Sequence, residues 1–516
     1  MTATLHRREF LTTGLAVGSA LALEGALASR SAALQPTTSF TRYSVFDARA
    51  RLDSYVKGVA KMKDWSASDA TNPRGWTYQA AIHGSAMDDP SFNQCEHASW
   101  WFFPWHRAYL WCFERIIRQA SGDDQFTLPY WDWDSAGRRS LPPAFRDGNS
   151  TLFDSSRNDS INNGDPLPAL DIDPRGALAS ATFLGSSFNP GFGGVPLPRG
   201  TKGRLENPPH DAVHVLISGN MGDPSSAALD PIFWLHHANI DRLWDSWLAS
   251  GRVNPSVAAW KNNVDSGQAM PFDLYDENSN QVNVLTADFI PGGGRLDYQY
   301  DNLQGNPVVM LTSKKLRSQV ESECGPGEKL EGAEISKEKR TAMDEKHKKL
   351  FGNARRVELT ASENKITLGG ESVVVEAKIV EENRPRLQMA LELAREDIAR
   401  PAAVILHIEG VESKGPPGVV YRVFLNKPKD GVSPDPDEAN YVGTLALFQT
   451  KGHGHKNKKG ENFNFDITRL VQNLSERGKW NNEKLDVTFV SKGVGGKNQP
   501  KNEVTCQRVS VTIERQ

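Results

Sequence analysis

Residues 95–115, CEHASWWFFPWHRAYLWCFER, and residues 229–244, LDPIFWLHHANIDRLW, decide the reading of this chain. Each sets histidines inside an aromatic run with helical spacing. In the first, Pro104 suits a first helical turn, where the missing N–H has no intrahelical partner to lose. The pattern therefore predicts a helix that starts there and runs through Arg107–Ile117. In the second, Phe233, His237, Ile240, Trp244, Trp247 and Leu248 recur at helical intervals.

Working outward, His83 lies upstream of His97 and His106, and NPPHDAVHVLISGNMG (207–222) precedes the pair His236 and His237. His210 and His214 are four apart, so they share one helix face. These seven are most of the 12 histidines. Imidazole is the common ligand for copper and zinc. Two three-histidine sets predict two metal ions, each between two helices as in metal-binding four-helix bundles, with positions left open for a small molecule. A lone histidine beside aromatics is ordinarily a packed core residue, and HxxxH by itself recurs by chance. Two sets in aromatic helices make that explanation insufficient, and the HExxH zinc-protease motif is absent.

WWFFPWHRAYLWCFE and DPIFWLHHANIDRLW resemble the type-3 copper family of tyrosinases, polyphenol oxidases and haemocyanins, over roughly Phe40 to Asp301. The resemblance implies a dinuclear site of two copper ions. His83, His97 and His106 would hold copper A, and His210, His214 and His237 copper B, with His236 the non-ligand neighbour. O2 would be co-substrate, and phenols such as tyrosine would be oxidised to o-quinones. The family also suggests a thioether between Cys95 and His97. Glu206 stands where plant-type enzymes hold a water, and Asp211 where the family tunes activity. Together they would orient or deprotonate a phenol, whose pKa is about 10. Read from the residues alone, both also fit acidic groups at a helix start. Asp241 reads as support for a ligand histidine or for an arginine such as Arg242. The loop Gly222–Asp230 has no bulky gate of the plant catechol-oxidase kind, which favours monophenol access. Three activities share these ligands: a tyrosinase, a catechol oxidase limited to o-diphenols, and a non-catalytic haemocyanin-like O2 carrier.

The chain has 516 residues, long enough for two or three domains. A net charge of −3 gives no reason to expect nucleic acid or a membrane surface as partner. Residues 1–33 read as a twin-arginine signal, with Arg7, Arg8, an apolar stretch and Ala26-Leu27-Ala28, implying the twin-arginine export machinery and a periplasmic or extracellular destination. Residues 34–304 form the mainly α catalytic domain, with long loops over 138–203 and Tyr298 and Tyr300 at its close. Residues 305–356 are a charged linker or exposed helix. In residues 357–516, runs such as AAVILHIEGVE, VVYRVFLNKP and NFNFDITRLV predict an all-β sandwich. This part resembles the C-terminal domain of plant polyphenol oxidases. That implies a cover over the copper site which keeps the enzyme latent, with Phe448 or a neighbour as plug. His453 and His455 read as a hairpin loop or as a copper hand-over point, and a copper-delivery protein is a possible partner. Of four cysteines, Cys324 and Cys506 would be free to bridge linker and C-terminus.

Overall fold

The computed structural model describes residues 40–303 and 337–515, apart from 88, 90, 187–189, 197–200, 371, 397–401, 427–439, 449–459, 479 and 481–482. Residues 1–33, read as an export signal, most of residues 305–356, Cys324, His453 and His455 lie outside these residues. Among the described residues no helix is long and apolar enough to cross a membrane.

The N-terminal part is a helical core. It comprises α1 (Leu52–Ser68), α2 (Trp76–His83), α3 (Phe102–Ser121), α4 (Asp211–Ile217) and α5 (Ile232–Ala249). Helix α3 starts two residues before Pro104, so the proline falls in the first turn as its chemistry requires. It ends at Gly122, which takes a left-handed φ of 71° without a Cβ penalty. Every residue of α3 from Phe102 to Glu114 is buried, and so is every residue of α5 from Ile232 to Trp244. A helix buried all round belongs at the centre; α3 packs on α1 and α5. The bundle's fourth member, α4, is only two turns long. Asp230 starts α5 by accepting from the Ile232 backbone N–H (3.0 Å), and is held by a buried ion pair with Arg157.

Strands β1 (Phe40–Arg42) and β2 (Tyr298–Tyr300) pair in parallel and close this core. The Tyr298 and Tyr300 hydroxyls both donate to Asp241, at 2.5 and 2.7 Å. Arg107 reaches the other Asp241 oxygen at 2.6 Å, and Arg42 spans Asp241 and Glu114. Asp241 therefore supports Arg107 and Arg42 rather than Arg242, which pairs with Asp134 at 2.8 Å. Adjacent residues on a helix point to different faces, so Asp241 and Arg242 serve different partners.

The C-terminal part is β-rich. It contains β3 (Arg356–Ala361), β4 (Ile366–Thr367), β5 (Ser372–Lys378), β6 (Ala402–Ser413), β7 (Val420–Leu425), β8 (Tyr441–Leu445), β9 (Glu461–Asp466), β10 (Lys484–Lys492), β11 (Val504–Cys506) and β12 (Arg508–Arg515). One sheet runs β3-β12-β6-β11-β4 with β9 also on β6; the other runs β8-β7-β10-β5. All these pairings are antiparallel. Three helices accompany them: α6 (Lys337–Phe351) in the charged segment, α7 (Arg384–Glu396) and α8 (Thr468–Glu476). The sequence NFNFDITRLV thus turns from strand to helix at Ile467. Asp466 Oδ1 accepts from the Thr468 N–H and hydroxyl, and Ile467, Val471 and Leu474 bury one helical face. With α7 and α8 packed against it, β6 is buried at every residue from Ala402 to Ile408.

The two parts share apolar packing. Val420, Ala446, Phe448 and Val494 belong to the same buried cluster as the helical core. Arg422 of β7 clasps Asp171 of the long loop through Nε (3.0 Å) and Nη2 (2.8 Å), and Thr444 donates to the same carboxylate.

Candidate dinuclear metal centre

The elements above bring all seven histidines of the two sequence clusters to one place. His83 ends α2, His106 lies in the second turn of α3, and His97 stands on the loop before α3. His210 leads into α4, which carries His214, and His236 and His237 lie on α5. The donor atoms of His83, Cys95, His97 and His106 lie within 4.8 Å of one another, and so do those of His210, His214, His236 and His237. The rings of His106 and His237 join the sets, stacked at 4.1 Å and 7°.

Hydrogen bonds assign the tautomers. The Nδ1 atoms of His83, His106 and His214 face the carbonyl oxygens of Pro224 (3.1 Å), Phe102 (2.8 Å) and Met221 (2.8 Å). A carbonyl only accepts, so each Nδ1 carries the proton and each Nε2 keeps its lone pair. The carboxylate of Asp211 does the same for His210, at 2.9 Å from Nδ1. His236 is reversed: Trp133 Nε1, a donor only, points at its Nδ1 from 3.0 Å, leaving Nε2 protonated. That separates the adjacent pair, because a protonated nitrogen has no lone pair for a metal. His237 Nε2 lies 3.3 Å from His214 Nε2. That is the edge expected for two imidazoles each about 2 Å from one ion.

Burial keeps the imidazoles neutral. It pushes His106 and His236 down to about 3, and His97, His210, His214 and His237 also well below the usual range, and neighbouring histidines add to the effect on all but His106. His210 Nε2 is buried and has no hydrogen-bond partner among the described residues. Neutral imidazoles with lone pairs turned to a shared space fit two histidine-bound copper ions.

Around the histidines, Cys95 Sγ is 3.4 Å from His97 Nδ1 and 3.6 Å from His97 Nε2. The same sulfur lies 3.4 Å from His106 Nε2, so it stands between the two imidazoles. Glu206 Oε1 accepts from the Ala98 N–H at 2.7 Å, and Oε2 is buried with no hydrogen-bond partner among the described residues. Burial pushes its carboxyl up to about 7, against the pull of Lys202. Asp211 is differently engaged: one oxygen takes the His210 proton and the other the Lys202 ammonium at 2.6 Å. Lys202 also contacts Glu461 at 2.6 Å. Burial opposes that ammonium, but the three carboxylates outweigh it and raise Lys202 above its ordinary value.

The site is covered from the C-terminal part. Phe448 lies face to face with His214 (3.9 Å, 14°) and edge-on to His97 (5.4 Å) and His210 (5.7 Å). The ring position beside His214, His97 and His210 is filled by Phe448. Sequence reading missed Trp133, Lys202 and Glu461. Trp133 had a weak signal in the aromatic run WDWD; Lys202 and Glu461 had none, sitting in a Gly/Pro-rich loop and at a strand start.

Comparison with known proteins agrees with this geometry. The common central domain of tyrosinase matches residues 73–194 and 186–250, and a domain of unknown function matches 356–514. Tyrosinase HcTyr1 of Hahella sp. (strain CCB-MM4) is 28% identical, over 92% of this chain and 99% of its own. The chloroplastic polyphenol oxidase A1 of Vicia faba is 30% identical, over 90% and 75%. The structure of latent apple tyrosinase superposes with a TM-score of 0.56 at 24% identity, covering 93% of this chain and 98% of that one.

Proposed function

We propose that this chain, which belongs to the tyrosinase and polyphenol oxidase family, is a monophenol monooxygenase and o-diphenol oxidase held latent by its own C-terminal domain. Copper-dependent oxidation of phenols is the family's chemistry. The finer reading rests on one observation: an aromatic ring, that of Phe448, already lies parallel to His214 and edge-on to His97 and His210. The space beside these imidazoles accepts a six-membered ring, and the protein's own ring occupies it.

In this reading His83, His97 and His106 hold copper A, and His210, His214 and His237 hold copper B. Bound copper supplies O2 activation and carries the electrons taken from the substrate. The chain does the rest. Carbonyls of Pro224, Phe102 and Met221 and the Asp211 carboxylate fix the ligand rings. Glu206, with one oxygen anchored on Ala98, offers the other to the hydroxyl proton of an incoming phenol. Overall, one phenol and one O2 give one o-quinone and one water; two o-diphenols and one O2 give two o-quinones and two waters. We infer a thioether between Cys95 Sγ and a His97 ring carbon, formed as the S–H and C–H bonds break and the two electrons pass to O2, which would limit ring rotation; a mass deficit of two hydrogens in the peptide holding both residues tests it. Residues 1–33 would direct export by the twin-arginine route, and a copper-delivery protein would load the site.

A second reading, a catechol oxidase limited to o-diphenols, is favoured by the state of Asp211, whose two oxygens already serve His210 and Lys202. Incubating the copper-loaded protein with tyrosine and, separately, with L-DOPA decides between them. Hydroxylation of tyrosine supports the first reading, and oxidation of L-DOPA alone supports the second. Oxidation of neither, once the cover is opened, leaves an O2 carrier.

A further inference from the structure

Lys202 is a buried ammonium at the rim of the histidine centre, and its two acceptors come from different parts of the fold. Nζ lies 2.6 Å from Asp211 Oδ2 on α4 and 2.6 Å from Glu461 Oε1 at the start of β9. Only 6% of its side chain is exposed, and 14% of that of Glu461. The other Asp211 oxygen holds His210 Nδ1, so Lys202 stands two hydrogen bonds from that imidazole. Its charge also acts on His97 and Glu206. The C-terminal cover therefore brings two groups to the centre together, an aromatic ring on His214 and a carboxylate on Lys202. An ammonium only donates, and a buried one deprived of an acceptor is destabilised by more than a neutral group would be. When the cover moves away it removes one of the two carboxylates in contact, and Lys202, still paired with Asp211, is left one acceptor short.

We propose that Lys202 is a specificity residue for the substrate side chain: with the cover displaced, it binds a carboxylate where Glu461 now sits, so phenols bearing an anionic side chain are preferred. The inference rests on the phenol-oxidase reading above. Phe448 and Glu461 then act as one internal mimic of the substrate, ring and carboxylate held by the same chain.

The test uses the full-length, copper-loaded protein carrying Phe448→Ala and Glu461→Ala, which removes both side chains. Calorimetry compares binding of 3-phenylpropionate with that of its neutral amide, neither of which has a hydroxyl to oxidise. The acid is expected to bind about tenfold tighter than the amide, the strength of a charge-assisted hydrogen bond in a buried setting. Adding Lys202→Met abolishes that preference. With Glu461 restored and only Phe448→Ala present, the preference shrinks because the native carboxylate competes; this arm needs no change at Lys202. Equal binding of acid and amide in the cleared protein overturns the proposal, as does a preference that survives Lys202→Met. Oxidation of neutral 4-methylcatechol by the cleared protein examines the activity reading separately. Turnover without acid preference refutes the role of Lys202 alone, whereas absence of turnover refutes the activity and the substrate role with it.

Discussion

Truncating Phe448 to alanine should open the copper site of the intact chain. The side chain is 1% exposed and lies flat on His214. Burying a phenylalanine contributes about 1.5–3 kcal/mol, and a stacked aromatic pair about 0.5–1.5 kcal/mol more. The ring therefore biases the closed arrangement by roughly 2–4 kcal/mol, a factor on the order of 30 to 1,000 in the closed-to-open ratio. A plug of this kind competes with substrate, so the apparent affinity is reduced by the open fraction. Full-length Phe448→Ala should raise kcat/KM for 4-methylcatechol by about 30-fold or more, mainly through a lower KM. Initial O2 uptake across a substrate series measures this, with copper content determined on the same samples. The alanine leaves a cavity, so some loss in Tm is expected alongside the gain. An unchanged kcat/KM at full copper occupancy would refute the argument that this ring occupies the substrate's place.

The clasp between Asp171 and Arg422 ties the same cover to the long loop: Arg422→Met leaves a buried carboxylate without its cation, at about 3–5 kcal/mol. Faster oxidation and faster amide exchange over β7 and β8 are expected, and unchanged exchange would remove the clasp from the closing contacts. His237→Ala should bind fewer than two coppers per chain, while His236→Ala, having lost a ring whose Nδ1 accepts from Trp133 and whose Nε2 carries a proton, should keep both; metal analysis of the purified variants decides. Glu206→Gln should slow hydroxylation of tyrosine by roughly 10²-fold with copper retained, and an unaltered rate would exclude Glu206 from proton handling.

Much of this site was legible in the chain because its chemistry is local. His210 and His214 announce themselves by a four-residue interval, and Pro104 marks the start of the helix that carries His106, which runs on past the expected Ile117 to Ser121. Phe448 lay in a strand-like run, and only the resemblance to covered polyphenol oxidases drew attention to it. Long-range pairings were not readable. Nothing in GFGGVPLPRGTKG says that Lys202 meets a carboxylate 259 positions later, or that Asp171 waits for Arg422. The same limit hid the tautomer of His236, which depends on Trp133 from a distant loop. In the C-terminal part the β-branched runs between turn residues predicted the strands, including β6 and β7. Thr468–Glu476 became a helix because Asp466 satisfies its first backbone donor and Ile467, Val471 and Leu474 share one face.

The central claim is a copper-dependent phenol oxidase closed by its own C-terminal domain. It is tested most directly by following tyrosine and L-DOPA oxidation in the full-length copper-loaded protein and in its Phe448→Ala variant, side by side. The account predicts two coppers per chain in both, slow turnover in the parent, and faster conversion of both substrates in the variant. Two bound coppers with no oxidation of either substrate by the variant would contradict it.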